Sequence, residues 1–295
     1  MAFEGTPTTP VDFALDPTLE GEYNLRVRHP ERSAVYRAQA IRSDDLRTRV
    51  AGFRTFRYAA GAACLLDFLP SPSATAVPAP LFVFVHGGFW RALDRSIFTF
   101  LAEPWLERGF HCALVGYDLV PTVTVRIIVS QVSQAVTWLR DEASSLHIDT
   151  DRVLISGHSA GGHLGACVLD GMRDGVRAID DWHAAAFVGL SGVYDLEPLL
   201  RTNVNADIRL DSAEAIALSP LRRSSLRPTR HLLAVGAAET EGFKAQSSDF
   251  AAALRRDGNR VDNMLVAGRT HFDILDEFAD PGSELFRRSY ELMSA

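Results

Sequence analysis

Apolar positions along the chain follow two periods, and the switches between them mark its elements. Residues 81–85, 111–117, 153–156, 185–190 and 231–235 are short, largely unbroken apolar runs, the pattern of strands buried on both faces. Residues 261–266 read as a last strand. Between these runs the spacing is helical. Residues 124–143 place Val125, Ile128, Val132, Ala135, Val136 and Leu139 on one face, and 243–256 do the same with Phe243, Ser247, Phe250 and Leu254. Further helices are expected over 96–108, with Ser96 as N-cap and Gly109 as stop, and over 283–293. The run 153–156 leads directly into another helix, expected to end near Gly171 or Gly175.

Toward the N-terminus the pattern is weaker. Residues 53–58 and 64–69 flank Ala60-Gly61 as an edge hairpin, and 31–49 suggest one or two short surface helices. Residues 195–227 are irregular, with room for short helices over one end of the sheet, and 70–80 form a connector. Residues 1–20 lack periodicity and read as a loose arm ahead of one domain spanning 21–295. Strands alternating with helices predict an α/β architecture: a mainly parallel, doubly wound sheet with helices on both faces.

Composition narrows the chemistry. The 295 residues are 47% hydrophobic and 23% charged, as in ordinary globular enzymes. A net charge of −7 argues against nucleic-acid or anionic-membrane partners. Lys244 is the one lysine, so no phosphate-binding G-K-[ST] motif exists and a Schiff-base enzyme is disfavoured. Cys64, Cys112 and Cys167 are odd in number and far apart, and fit buried thiols in a reducing compartment. With no apparent signal peptide and no apolar run near the ~20 residues that span a bilayer, a cytoplasmic location is expected. No cofactor or metal signature is visible. The oligomeric state stays open, a homodimer included.

One stretch carries a chemical signature. Residues 157–161, G-H-S-A-G, follow the run 153–156 directly and match the G-x-S-x-G nucleophile elbow. Such a turn strains the serine backbone and lifts Ser159 above the strand end. A serine nucleophile needs a base, an acid and an oxyanion site. His271 follows the last strand, where ligands bind in open sheets. Glu239 follows the strand before it and is the leading acid, with Glu241, Asp273 and Asp195 as rivals. The Ala160 N–H and the His86-Gly87-Gly88-Phe89-Trp90 loop supply oxyanion donors from Gly87, Gly88 and Ala160. His86, Phe89 and Trp90 are expected at the substrate pocket; for the two aromatics, packing in the core is an equal alternative.

Several segments resemble the kynurenine formamidases (arylformamidases), α/β-hydrolases related to the hormone-sensitive-lipase-like esterases. These are H-G-G-F-W at 86–90, G-Y-D-L-V-P-T-V-T-V at 116–125, S-G-H-S-A-G-G-H-L at 156–164 and S-G-V-Y-D-L-E-P-L at 191–199. E-Y-N-L at 22–25, A-I-A-L-S-P at 215–220, V-G-A-A-E-T-E-G-F at 235–243 and H-F-D-I-L at 271–275 extend it. The resemblance implies an α/β-hydrolase fold, a Ser159–Glu239–His271 triad and a small aromatic substrate such as N-formylkynurenine, an intermediate of tryptophan catabolism. Two positions depart from the family pattern: Glu239 stands where aspartate is usual, and Phe89 where tyrosine is. The alternatives are a carboxylesterase for short acyl esters, a biosynthetic acyl-transfer or cyclising enzyme, and a non-catalytic binding module.

Overall fold

The buried apolar runs form the centre of an eight-stranded sheet in the computed structural model, which is described for residues 13–73, 77–169, 184–223 and 229–293. Three helices come first, α1 (Pro17–Tyr23), α2 (Leu25–Arg28) and α3 (Arg32–Arg49). The hairpin follows as β1 (Arg54–Arg57) and β2 (Leu65–Leu69), then β3 (Ala79–Val85). A 3₁₀ segment (Arg95–Ala102) and α4 (Glu103–Leu106) lead to β4 (His111–Val115). Next come α5 (Val125–Asp141), α6 (Ala143–Leu146), β5 (Ile148–His158) and α7 (Ala160–Leu169). β6 (Ala186–Leu190) is followed by short helical turns that include α8 (Asn205–Ile208) and α9 (Ser212–Ala217). The chain closes with β7 (Arg230–Gly236), α10 (Glu241–Arg256), β8 (Arg260–Val266), α11 (Ile274–Phe278) and α12 (Glu284–Glu291).

The strand order is β1-β2-β4-β3-β5-β6-β7-β8. β2 pairs antiparallel with both β1 and β4, and every pairing from β4 through β8 is parallel. The expected hairpin therefore sits at one edge of a parallel sheet. Successive side chains of a strand point to opposite faces, and the core divides accordingly. Leu81, Val83, Val85, Val153, Ile155 and Leu233 pack on the face covered by α5, α7 and α10. Phe82, Phe84, Leu154, Val188, Leu232 and Ala234 pack on the other, beneath the 3₁₀ segment, α4, α11 and α12. Covering on both faces is why these strands carry no polar alternation.

Several boundaries differ from the expectations, each for a local reason. Helix α1 begins at Pro17 because Asp16 caps it, its carboxylate accepting from the N–H groups of Thr18 and Leu19. The end of the stretch read as an arm is thus helical; residues 1–12 lie outside the described residues. Residues 32–49 form a single helix of 18 residues, longer than the one or two short helices expected. Residues 95–102 wind as 3₁₀ helix capped by Asp94, not by Ser96. Helix α11 was not anticipated. The expected end of α7 near Gly171 or Gly175 lies outside the described residues. Among the described residues, no helix is long and apolar enough to cross a membrane.

Candidate active site

The turn from β5 to α7 is built by its glycines. A Cβ at Gly157 would lie 2.1 Å from the Gly161 carbonyl oxygen, and one at Gly161 would lie 2.0 Å from that of Val85. No side chain fits in either place, so the strand end and helix start press directly against each other and against β3. Ser159 between them adopts φ +56°, a left-handed conformation that costs a non-glycine residue of order 1–3 kcal/mol. Its N–H donates to the Leu190 carbonyl across the sheet at 2.9 Å. The oxyanion-loop candidate comes equally close. A Cβ at Gly87 would meet the Ser159 Cβ at 2.9 Å, which brings this backbone beside the serine. Ala160, fully buried, opens α7 on the other side.

His271 follows β8 on a turn whose shape depends on Asp273. That carboxylate accepts from the Thr270 N–H at 2.6 Å and from its hydroxyl at 2.7 Å. Asp273 is therefore engaged in supporting the loop. His271 Nδ1 lies 2.7 Å from Glu239 Oε2, both side chains being almost wholly buried. The other carboxylate oxygen of Glu239 accepts from the Ser191 hydroxyl at 2.5 Å and the Gly236 N–H at 2.7 Å. A carboxylate so surrounded keeps the Nδ1 position of the ring protonated and pointed at itself, leaving Nε2 as the free acceptor. The remaining rivals are engaged elsewhere: Asp195 is held by Arg222 at 2.9 Å, and Glu241 is exposed beside Lys244.

Ser159 and His271 line one cavity of about 200 Å³ with Tyr23, Tyr36, Gly88, Phe89 and Phe272. Tyr23, Tyr36, Phe89 and Phe272 give it an aromatic wall, in which Phe272 joins Tyr36 and His271 by edge contacts at 5.7 and 5.4 Å. The pocket assignment is corrected at two positions. Trp90 is fully buried in the core, its ring edge-on to that of His163 at 5.1 Å, and does not line the cavity. His86 lies beneath the loop. Its ring stacks on Tyr117 at 4.3 Å and its Nδ1–H donates to the Gly87 carbonyl, while the Tyr117 hydroxyl donates to the carbonyl of His86. Burial holds this imidazole neutral, its pKa pushed down to about 4. Both residues support the loop from behind, and of the three only Phe89 faces the cavity.

Other contributors had no role in the sequence reading. Ser191, at φ +49°, is the hydroxyl partner of Glu239 and opens the S-G-V-Y-D segment. His158 Nε2–H donates to the His271 carbonyl at 2.8 Å, and burial with the neighbouring His271 ring drives its pKa well below the usual histidine value. The N-terminal helices close the cavity through Asn24, Leu25, Arg26, Arg32 and Tyr36, with Arg91 beside them. The E-Y-N-L motif was the available signal for this contribution. Among the described residues, no three His, Cys, Asp or Glu side chains group as metal ligands.

A mainly parallel sheet with a left-handed serine between strand and helix, and a carboxylate-bound histidine beyond the last strand, defines an α/β-hydrolase. The BD-FAE family model matches residues 66–221. Kynurenine formamidase of Danio rerio is 32% identical over 226 residues, covering 72% of this chain and 72% of that protein. Its Drosophila melanogaster counterpart is 31% identical over 235 residues, covering 76% of each. A solved Silicibacter structure, named provisionally as a thioesterase, is 30% identical with a TM-score of 0.81, covering 94% of this chain and 99% of that one. The chain belongs to the kynurenine formamidase family of α/β-hydrolases, and it is a hydrolytic enzyme.

Proposed function

We propose that this hydrolase cleaves an aryl formamide by acyl transfer through Ser159. The observation that carries the reading is the buried Glu239–His271 bond of 2.7 Å, with His271 and Ser159 opening onto one cavity. In this scheme His271 Nε2 takes the Ser159 hydroxyl proton as Oγ attacks the formyl carbon. The N–H groups of Ala160 and the Gly87-Gly88 loop receive the developing oxyanion. His271 then passes the proton to the departing aryl amine, leaving a formyl ester on Ser159. Water, deprotonated by His271, releases formate and restores the serine. Glu239 accepts the Nδ1–H throughout and stabilises the imidazolium. The partner is a small aromatic molecule; neither a metal nor a cofactor takes part.

Family membership supports a formamide, and the aromatic walls support a ring on the leaving group. Glutamate in place of aspartate is compatible with the role, since the Nδ1 contact is made at normal length. A carboxylesterase for short acyl esters is the second reading, because the same machinery serves an alkoxide leaving group. The test is kcat/KM for N-formylkynurenine against a p-nitrophenyl ester, run with fluorophosphonate labelling. The formamide should be preferred and the label should fall on Ser159. Preference for the ester would favour the second reading, and labelling at another residue would end the serine mechanism.

A further inference from the structure

His158, the residue before the serine, ends β5 and is 3% exposed, yet it lines the cavity that holds Ser159 and His271. Its two ring nitrogens have different duties. Nε2 lies 2.8 Å from the His271 carbonyl oxygen, and a carbonyl only accepts, so Nε2 carries the proton. In the neutral ring that leaves a bare lone pair on Nδ1. Burial and the neighbouring His271 ring hold the pKa well below the usual histidine value, which keeps the ring neutral. Nδ1 has no hydrogen-bond partner among the described residues. It lies against the glycine loop: a Cβ placed on Gly87 would be 3.1 Å from Nδ1 and 2.9 Å from the Ser159 Cβ. In the proposed scheme the rest of the reacting centre donates. The loop and Ala160 offer N–H groups, and His271 Nε2 turns from acceptor to donor once it has taken the serine proton.

We infer that His158 Nδ1 accepts the N–H of the scissile bond, and that His158 thereby selects a formamide over an ester. This rests on the formamide reading and names the group that enforces it. The amide nitrogen keeps its hydrogen through the whole reaction. Ser159 Oγ bonds to the formyl carbon, His271 supplies nitrogen with its second hydrogen, and the C–N bond breaks to release a primary aryl amine. Shielded from water, that N–H needs an acceptor, and a buried donor left without one is costly. An ester has oxygen at the same position, whose lone pairs face the lone pair of Nδ1 unfavourably. A site built to pair with a substrate N–H rejects an analogue that lacks it. The Glu239–His271 pair makes no such distinction, because it serves either leaving group.

The test compares formanilide, N-methylformanilide and phenyl formate, which differ only at the atom that leaves the formyl carbon. His158→Gln keeps an amide donor near the Nε2 position and removes the acceptor from the Nδ1 position. His158→Asn does the reverse, placing Oδ1 near the Nδ1 position and falling short of the His271 carbonyl. In His158→Gln the ratio of kcat/KM for formanilide to that for phenyl formate should fall about tenfold, the loss of one hydrogen bond. N-methylformanilide has no N–H to donate and should keep its ratio to phenyl formate. In His158→Asn all three should slow, with the formanilide ratio held within about threefold. The wild type supplies an arm that decides the matter where a variant fails to fold. It should favour formanilide over N-methylformanilide by at least about tenfold more than alkaline hydrolysis does. A formanilide ratio unmoved in His158→Gln, or lowered equally in both variants, overturns the assignment, as does a wild type indifferent to the N-methyl group. If phenyl formate is cleaved and neither anilide is, the formamide reading falls and the acceptor role with it. If the anilides are cleaved and the ratios do not move, the formamide reading stands and the acceptor role falls.

Discussion

The Glu239 carboxylate makes three contacts, and each has a separate consequence for activity. Glu239→Gln keeps the size but favours the wrong tautomer of His271, so kcat should fall by up to ~10⁴, while Glu239→Asp should fall less. Ser191→Ala removes the hydroxyl that donates to the other oxygen. A lost hydrogen bond to a charged group is worth about 1.5–3 kcal/mol, so kcat should drop roughly ten- to a hundredfold with KM little changed. Steady-state kinetics on the aryl formamide checks both. An Asp273→Asn variant more damaged than Glu239→Gln would show that the acid has been misassigned. At Trp90 the expected change is in stability. Truncating a fully buried tryptophan typically costs about 3–5 kcal/mol, so Trp90→Ala should shift the urea midpoint far more than it shifts the ratio of aryl to alkyl substrate preference. The sequence placed Phe89 and Trp90 side by side without distinguishing them. Their separation depends on successive left-handed residues, φ +49° and +56°, which turn one ring to the cavity and the other to the core.

Helix α3 shows how an element can be legible while its orientation is not. Its apolar positions Ala34, Val35, Ala38, Ile41 and Leu46, alternating with charges, suggest surface helix without marking a face, and in the structure Ile41 is 70% exposed while Gln39 and Ser43 are buried. The helix docks on the 3₁₀ segment and on the turn at Phe272, where polar side chains reach backbone groups. The Ser43 hydroxyl donates to the Ile97 carbonyl at 2.7 Å and accepts from the Phe100 N–H at 3.0 Å; Gln39 Nε2 donates to the Phe272 carbonyl. Ser43→Ala should therefore cost about 1–3 kcal/mol by leaving a buried N–H unpaired, whereas Ile41→Ala should stay within about 0.5 kcal/mol. Chemical denaturation of the two variants decides the matter, and the reverse order would overturn this account. The parallel strands were legible because burial on both faces leaves an unbroken apolar run. The elbow was legible because its close contacts admit only glycine. The cavity roof was not, since helices seated on loops leave no period in the sequence.

At the scale of the whole molecule, buried histidines link stability to pH. His86 and His163 are fully buried and His231 nearly so, and burial pushes each down to about 4. Their folded-state values lie below the usual 6.5, so the unfolded chain binds more protons than the folded one between these limits. Their neutral forms are compatible with the core above pH 6.5, and stability is lost as pH falls from there toward 4. Each fully buried ring contributes about 3 kcal/mol of that loss when the window is fully crossed. The urea midpoint should fall steeply between pH 7 and 4.5, and a His163→Gln/His231→Gln variant should show a shallower decline. An unchanged decline in that variant would assign acid sensitivity to other groups.

The roof and the floor of the cavity come from opposite ends of the chain. Gln39 reaches the carbonyl of Phe272, the neighbour of His271, across 233 positions of sequence. Chain elongation runs at roughly 5–20 residues per second, so the roof helix leaves the ribosome roughly 10–50 s before the segment it covers. During that interval Gln39 has no Phe272 carbonyl to donate to, and His271 has not yet been added. The turn that carries Ser159 is likewise synthesised well before the loop that bears His271. Neither the pocket nor the Glu239–His271 contact beneath it can form until residue 272 has been added, so the site is assembled late, when these segments dock under a helix synthesised well before them.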